Sequence, residues 1–132
     1  MRFVDANVFI YAIVKSPKKD FAISHKILES IEHGEESVTS TAVIQEVIKW
    51  LEYNNRIKEV KIFLTAVNSY LSMDKLNGEW DNFLPTLDDM YGKQISFVDS
   101  LTLQLMKQHK ITEIYSNDKD FDRIEWVKRV WE

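Results

Sequence analysis

Apolar positions in this chain recur in two rhythms. Short β-prone runs occur at Arg2–Val4, Ser37–Ser40, Thr112–Ser116 and Val127–Trp131, and each predicts a strand. Between them, apolar residues return at helical spacing. Asn7–Val14 predicts a short helix. Phe21–His33 predicts a second through Ile27, Leu28 and Ile31, with Gly34 at a helix stop. Thr41–Tyr53 carries Ile44, Val47, Ile48 and Leu51 on one side, and Arg56–Tyr70 carries Ile57, Val60, Leu64 and Val67. Asn77–Gly78 marks a turn. Glu79–Tyr91 predicts a helix that Pro85 must break or kink, and Ser96–His109 predicts the last helix.

Strands separated by helices give a parallel α/β sheet. Runs as apolar as RFV and EIY suit a sheet covered on both faces. Few glycines and prolines interrupt the chain, and residues 1–132 read as one domain. In such sheets ligands bind beyond the carboxyl ends of the strands, so polar residues just after strands, or early in the following helices, carry the chemical interest.

Four acids fit that description, each with a structural alternative. Asp5 ends the first strand inside VDANVFIY, and either caps the next helix or serves a site. Glu46 sits about 90° from the solvent stripe of its helix at 100° per residue, on the boundary with Val43 and Trp50, where Lys49 offers an i,i+3 partner. Asp99 completes an S-x-x-D capping pattern with Ser96, yet falls in the apolar arc of Val98, Leu103, Leu105 and Met106. Asp118 follows a strand in YSNDKDFD, a stretch that could be only a polar turn. Taken together the readings change. In a parallel sheet strand ends and helix starts share one edge, so the four can converge there. Carboxylates so grouped repel one another unless a cation lies among them.

Composition narrows the cation. The chain has no cysteine and three widely spaced histidines, which excludes disulfides and thiolate sites and leaves oxygen ligands for a hard ion, Mg²⁺ or Mn²⁺. No apolar stretch approaches the roughly 20 residues of a membrane span, and no basic, then long apolar leader opens the sequence. A cytoplasmic protein is expected. The net charge of −4 sets this chain apart from the usual basic nucleic-acid binder.

The ordered set of motifs resembles the PIN-domain nucleases, and in length and layout the VapC-type toxins of toxin–antitoxin pairs. VDANVFIY is similar to the family's opening strand motif, STAVIQEVI to its second, SFVDSLTLQLM to its third and YSNDKDFD to its fourth. The resemblance covers nearly the whole chain. It departs at Ser116, where the family more often has Thr, and at Ser100, where it often has Ala. The resemblance implies a three-layer α/β/α fold with a central parallel sheet. It implies that Asp5, Glu46, Asp99 and Asp118 bind one or two metal ions for hydrolysis of RNA phosphodiesters, with Asn7, Ser116 and Asp120 supporting the site. It also implies an antitoxin partner and a homodimer; independently, Trp80 and Phe83 near the Asn77–Gly78 turn are candidate contact residues, since interfaces favour aromatics. Lys15, Lys18 and Lys19, close in sequence to the first acid, are candidates to hold RNA.

Other roles stay open. A PIN nuclease could serve RNA processing or decay rather than toxicity. A phosphatase or phosphoacceptor domain could use Asp5 as its nucleophile, but Asn7 stands where a haloacid-dehalogenase-like phosphatase needs a second Asp.

Overall fold

Phe3 and Val4 are wholly buried, and their strand, β1 (Arg2–Val4), lies at the centre of a five-stranded sheet. The computed structural model describes residues 1–132. The chain continues through α1 (Ala6–Val14), α2 (Lys18–Glu32), β2 (Ser37–Ser40), α3 (Thr41–Tyr53), α4 (Glu59–Ser69) and β3 (Met73–Leu76). It closes with α5 (Thr86–Lys93), α6 (Phe97–Gln108), β4 (Glu113–Tyr115) and β5 (Lys128–Val130). Single-turn 3-10 helices stand at Trp80–Asn82 and Lys119–Arg123.

The strand order is β3-β2-β1-β4-β5, and every pairing is parallel. The expected α/β/α architecture is therefore present. Helices α1 to α4 pack among themselves and α5 packs on α6. The core joins sheet residues Phe3, Val4, Val38 and Ile114 to helix residues Val8, Val43, Val47, Leu51, Leu103 and Met106. The chain builds outward from β1 in one direction through β2 and β3, then crosses back to β4 on the other side. That reversal places a topological switch point between β1 and β4, where open α/β sheets form their binding crevice.

The sequence pattern did not anticipate β3. Of its residues only Met73 is buried, while Asp74 and Lys75 are exposed. It is an edge strand, and charged residues suit an edge that must not recruit further strands. After it, the Asn77–Gly78 turn passes close over α6. A Cβ at Gly78 would stand 2.8 Å from Leu101 Cδ2, closer than van der Waals contact allows. Two helices are shorter than their apolar periodicity. The predicted Arg56–Tyr70 segment begins as a turn and becomes helical at Glu59, whose carboxylate accepts both 3.1 Å hydrogen bonds from Arg56 Nη1. The predicted Glu79–Tyr91 helix is cut into a 3-10 turn and α5, with Pro85 immediately ahead of Thr86. Proline lacks the N–H that a helix interior requires but fits its start.

Candidate active site

Asp5 and Ser116 leave adjacent strands at the switch point. Backbone pairing fixes them there: Val4 lies opposite Tyr115, and Asp5 N donates to the Tyr115 carbonyl at 3.1 Å. Asp5 is 4% exposed and both its oxygens accept hydrogen bonds. Ala6 N donates to Oδ1 at 2.8 Å, while Ser116 Oγ and Asn7 Nδ2 donate to Oδ2 at 2.7 and 3.3 Å. It caps α1, so the capping role is real and the carboxylate is also part of a network.

Ser116 is the hub of that network. Its hydroxyl donates to Asp5 and accepts from Asn7 Nδ2 at 3.1 Å and from Asp118 N at 3.0 Å. A hydroxyl has one donor and two acceptor sites, and all three are engaged in a residue with no exposed surface. Asn7 Oδ1 also accepts from Asn117 N at 3.1 Å. The loop after β4 is thereby tied to the start of α1.

The remaining acids approach from other elements. Asp118 caps the Lys119–Arg123 turn by accepting from Asp120 N at 2.9 Å. That turn brings Asp120 inward, and carboxylate oxygens of Asp99, Asp118 and Asp120 lie within 4.8 Å of one another. Asp99 comes from the first turn of α6. Ser96 Oγ accepts from Asp99 N at 3.1 Å, but no hydrogen bond returns from Ser96 N to the Asp99 carboxylate. Half of the capping box forms; the Ser96 hydroxyl acts on the Asp99 carboxylate and lowers its pKa, but less than burial and the neighbouring acids raise it. Glu46, on α3, forms no ion pair with Lys49. The bland roles available to Asp99 and Glu46 are not the ones they take.

Electrostatics join four carboxylates, Asp5, Glu46, Asp99 and Asp118. Burial pushes the Asp99 carboxyl from 3.8 up to about 8, and the charges of Asp5, Asp118 and Glu46 push the same way. Burial raises Asp5 too, helped by Asp118 and opposed by the hydrogen bonds from Ser116 and Ala6. Although the Glu46 side chain is exposed as a whole, desolvation followed by the charges of Asp5 and Asp118 raises its carboxyl. In Asp5, Glu46 and Asp99 burial is the larger cause and neighbouring carboxylates add to it, a combination that clusters at functional sites.

The donors are all oxygen and carry a concentrated negative charge, so they fit a hard divalent cation. Asp99, Asp118 and Asp120 are the tightest group. Asp5 is held behind them by Ser116 and Asn7, and Glu46 stands at the rim. Lys15, Lys18 and Lys19 form no ion pair with these acids. Lys15 lines a groove between α1, α2 and α4, and Lys18 and Lys19 are exposed at the start of α2.

Residues that the sequence pattern did not single out complete the loop. Arg129 on β5 grips Asp122 with Nε and Nη2 at 3.0 and 3.1 Å and donates to the Ser116 carbonyl at 3.2 Å. Asn117 Nδ2 donates to Tyr11 Oη at 3.0 Å. Arg123 Nη2 lies 3.2 Å from Asp120 Oδ1. Only the last had a local signal, opposite charges three residues apart.

Comparison with known proteins agrees with this geometry. The family model for the PIN domain matches residues 2–127. No curated protein sequence matches the chain significantly. Among solved structures, it is similar to Mycobacterium tuberculosis VapC20, a toxin that cleaves the sarcin-ricin loop, with a TM-score of 0.80, 17% identity and 100% of both chains covered. It is also similar to Rickettsia felis VapBC2, solved bound to a DNA fragment from its promoter, with a TM-score of 0.72 and 15% identity over 99% of this chain and 98% of that one. A toxin–antitoxin complex from Klebsiella pneumoniae follows, with a TM-score of 0.66 and 15% identity over 97% and 96%.

Proposed function

The chain belongs to the PIN-domain family, and from that premise we propose that it is a divalent-metal-dependent endoribonuclease, the toxin of a toxin–antitoxin pair acting in the cytoplasm. One observation carries the reading. Asp99, Asp118 and Asp120 lie within 4.8 Å of one another, and burial, then the charges of Asp5, Asp118 and Glu46, holds Asp99 up to about 8. Such a cluster is tolerable in a functioning protein when a cation joins it.

Asp5, Glu46, Asp99 and Asp118 would hold Mg²⁺ or Mn²⁺, with Asp120 close enough to assist. When bound, the ion supplies an activated water and charge stabilisation for phosphodiester hydrolysis. The rest belongs to the protein. Ser116 and Asn7 fix the Asp5 carboxylate in one orientation, as groups behind a metal ligand do. Asp99 sheds its proton on loading, so metal uptake releases protons and strengthens with pH. Lys18 and Lys19 lie exposed for contact with RNA phosphates. A phosphatase reading with Asp5 as nucleophile is poorly served, because that carboxylate is buried and both oxygens already accept hydrogen bonds.

The test is purified protein incubated with structured RNA in Mg²⁺, in Mn²⁺ and in chelator. Cleavage that needs the ion and disappears in Asp5→Asn supports the reading. Cleavage that ignores both, or an acyl-phosphate formed at Asp5, sinks it. Ser116→Ala should lower activity about 10- to 100-fold, the usual range for a group that orients a metal ligand, and Ser116→Thr, which keeps the hydroxyl, should restore most of it. An unchanged rate in Ser116→Ala would remove the hub from the mechanism.

Two surfaces support the partner assignments. An apolar groove of about 450 Å³ between α1, α2 and α4, lined by Phe9, Ala12, Ile13, Leu28, Phe63 and Ala66, offers a seat for an antitoxin segment. Trp80, Leu84 and Tyr91 are 78%, 75% and 78% exposed, an apolar strip of the kind that interfaces cover. We expect a homodimer through this strip. Leu84→Glu should yield a monomer by light scattering at micromolar concentration, and a dimer that survives this charge would place the interface elsewhere.

A further inference from the structure

The chain has a net charge of −4 and gathers carboxylates where a polyanion must come to rest. Some cation of the protein has to face the phosphate. The arginines are the natural candidates, because the planar guanidinium matches phosphate oxygens two at a time.

Three of the four arginines are already engaged. Arg2 donates to Glu113 and to Tyr115 Oη at 3.2 and 2.7 Å, with its guanidinium over the Tyr115 ring. Arg56 donates to Glu59. Arg129 has three hydrogen bonds, to Asp122 and the Ser116 carbonyl, and its side chain is only 17% exposed. Arg123 differs. Its side chain is 45% exposed and forms one ion pair, Nη2 to Asp120 Oδ1 at 3.2 Å, which leaves most of its five N–H donors free. It ends the Lys119–Arg123 turn, whose start is capped by Asp118 and whose second residue is Asp120, two members of the three-acid cluster.

Building on the nuclease reading above, we propose that Arg123 is a phosphate-binding residue of this site, a guanidinium held at the edge of the carboxylate cluster to receive an RNA phosphate. Asp120 aims it without saturating it. A carboxylate has two oxygens, so Asp120 can accept from Arg123 with one and face the cluster with the other. Arg129 and Asp122 make the platform rigid, since they clamp the same turn to β5. The acidic site thus carries its own anion receptor, and the protein needs no broad basic surface.

The experiment uses a short single-stranded RNA labelled with a fluorophore. Anisotropy in chelator reads binding without cleavage, across a salt series. Arg123→Ala should weaken binding and reduce the slope of log K against log salt by about 0.7, the value for one lost phosphate contact on a single strand. With Mg²⁺ or Mn²⁺ restored, kcat/KM should fall on the order of 100-fold, as when one donor to a developing anion is removed. Arg123→Lys should recover the salt slope and only part of the rate, since it keeps the charge and loses the fork. Both variants should melt as the parent does, because the residue is exposed.

The same measurements in an Asp120→Asn background separate phosphate binding from simple neutralisation of Asp120. A phosphate ligand still costs the same slope there. An effect that vanishes when Asp120 is neutral, or an unchanged slope in Arg123→Ala, overturns the proposal. A parent protein that cleaves RNA beside an indifferent Arg123→Ala sinks this inference alone, whereas a parent that cleaves no RNA sinks it together with the nuclease reading.

Discussion

Asp99→Asn should sharply reduce the proposed metal-dependent RNA cleavage and, without metal, should make the protein harder to melt. Both effects have one cause. The carboxylate is destabilised where it stands, by burial first and then by Asp5, Asp118 and Glu46, and on the proposed function a bound ion would offset this. Asparagine keeps the shape and the α6 cap, since that cap uses the backbone N–H of residue 99 rather than its side chain. It removes the charge that would hold the ion. Loss of several kcal/mol of transition-state stabilisation corresponds to a fall of about 100- to 10,000-fold in rate.

The stability effect carries a pH signature. The folded protein holds the Asp99 carboxyl at about 8 against an ordinary 3.8. Between those values the native state keeps a proton that the unfolded chain has released. Stability of the metal-free protein therefore falls as pH rises through that window and levels off above it. Asp99→Asn lacks this term. In chelator its melting temperature should exceed the parent's by several degrees at pH 8, at about 4 °C per kcal/mol for a chain of this size, and the gap should close toward pH 4. Scanning calorimetry of both proteins at the two pH values decides it. A gap that is constant with pH, or reversed, would mean the Asp99 carboxylate is at ease in its setting.

The second large effect is stabilisation by the ion itself. An ion that binds only the folded protein adds about 2.7 kcal/mol at 100 times its dissociation constant, or roughly 10 °C in melting temperature. The increment should grow from pH 5 to pH 8, because loading requires Asp99, held up to about 8, to give up its proton. Asp99→Asn should show a small fraction of it. Thermal melts against a Mn²⁺ series give the answer, and equal shifts in parent and variant would place the ion outside this cluster.

The site was legible in the sequence to the extent that its residues violate local rules. Asp99 stood out because an acid in the apolar arc of a helix has no local purpose, and the half-made capping box shows why that reading had force without being sufficient. Asp5 and Asp118 were legible only through the strands that precede them, since both also cap the turns that follow. Asp120 was harder. Its closeness to Asp99 depends on the 3-10 turn that Asp118 initiates, and a run of aspartates reads equally well as a solvated loop. Arg129 and Asp122 were out of reach because their contact depends on where β5 lies. Of the fold, the apolar strands and strongly periodic helices were readable. Strand β3 was not, because an edge strand protected by Asp74 and Lys75 carries no strand pattern.

The order of the strands also sets when the site can exist. β1 occupies the middle of the sheet, and its partner β4 begins at Glu113. The hydroxyl that steadies Asp5 belongs to Ser116, 111 positions later. Pairings of such long range close large loops and form late in folding. During synthesis the emerging chain therefore carries its first three acids with nothing to organise them. The Asp5 network is therefore assembled only once the segment through Ser116 has joined the sheet.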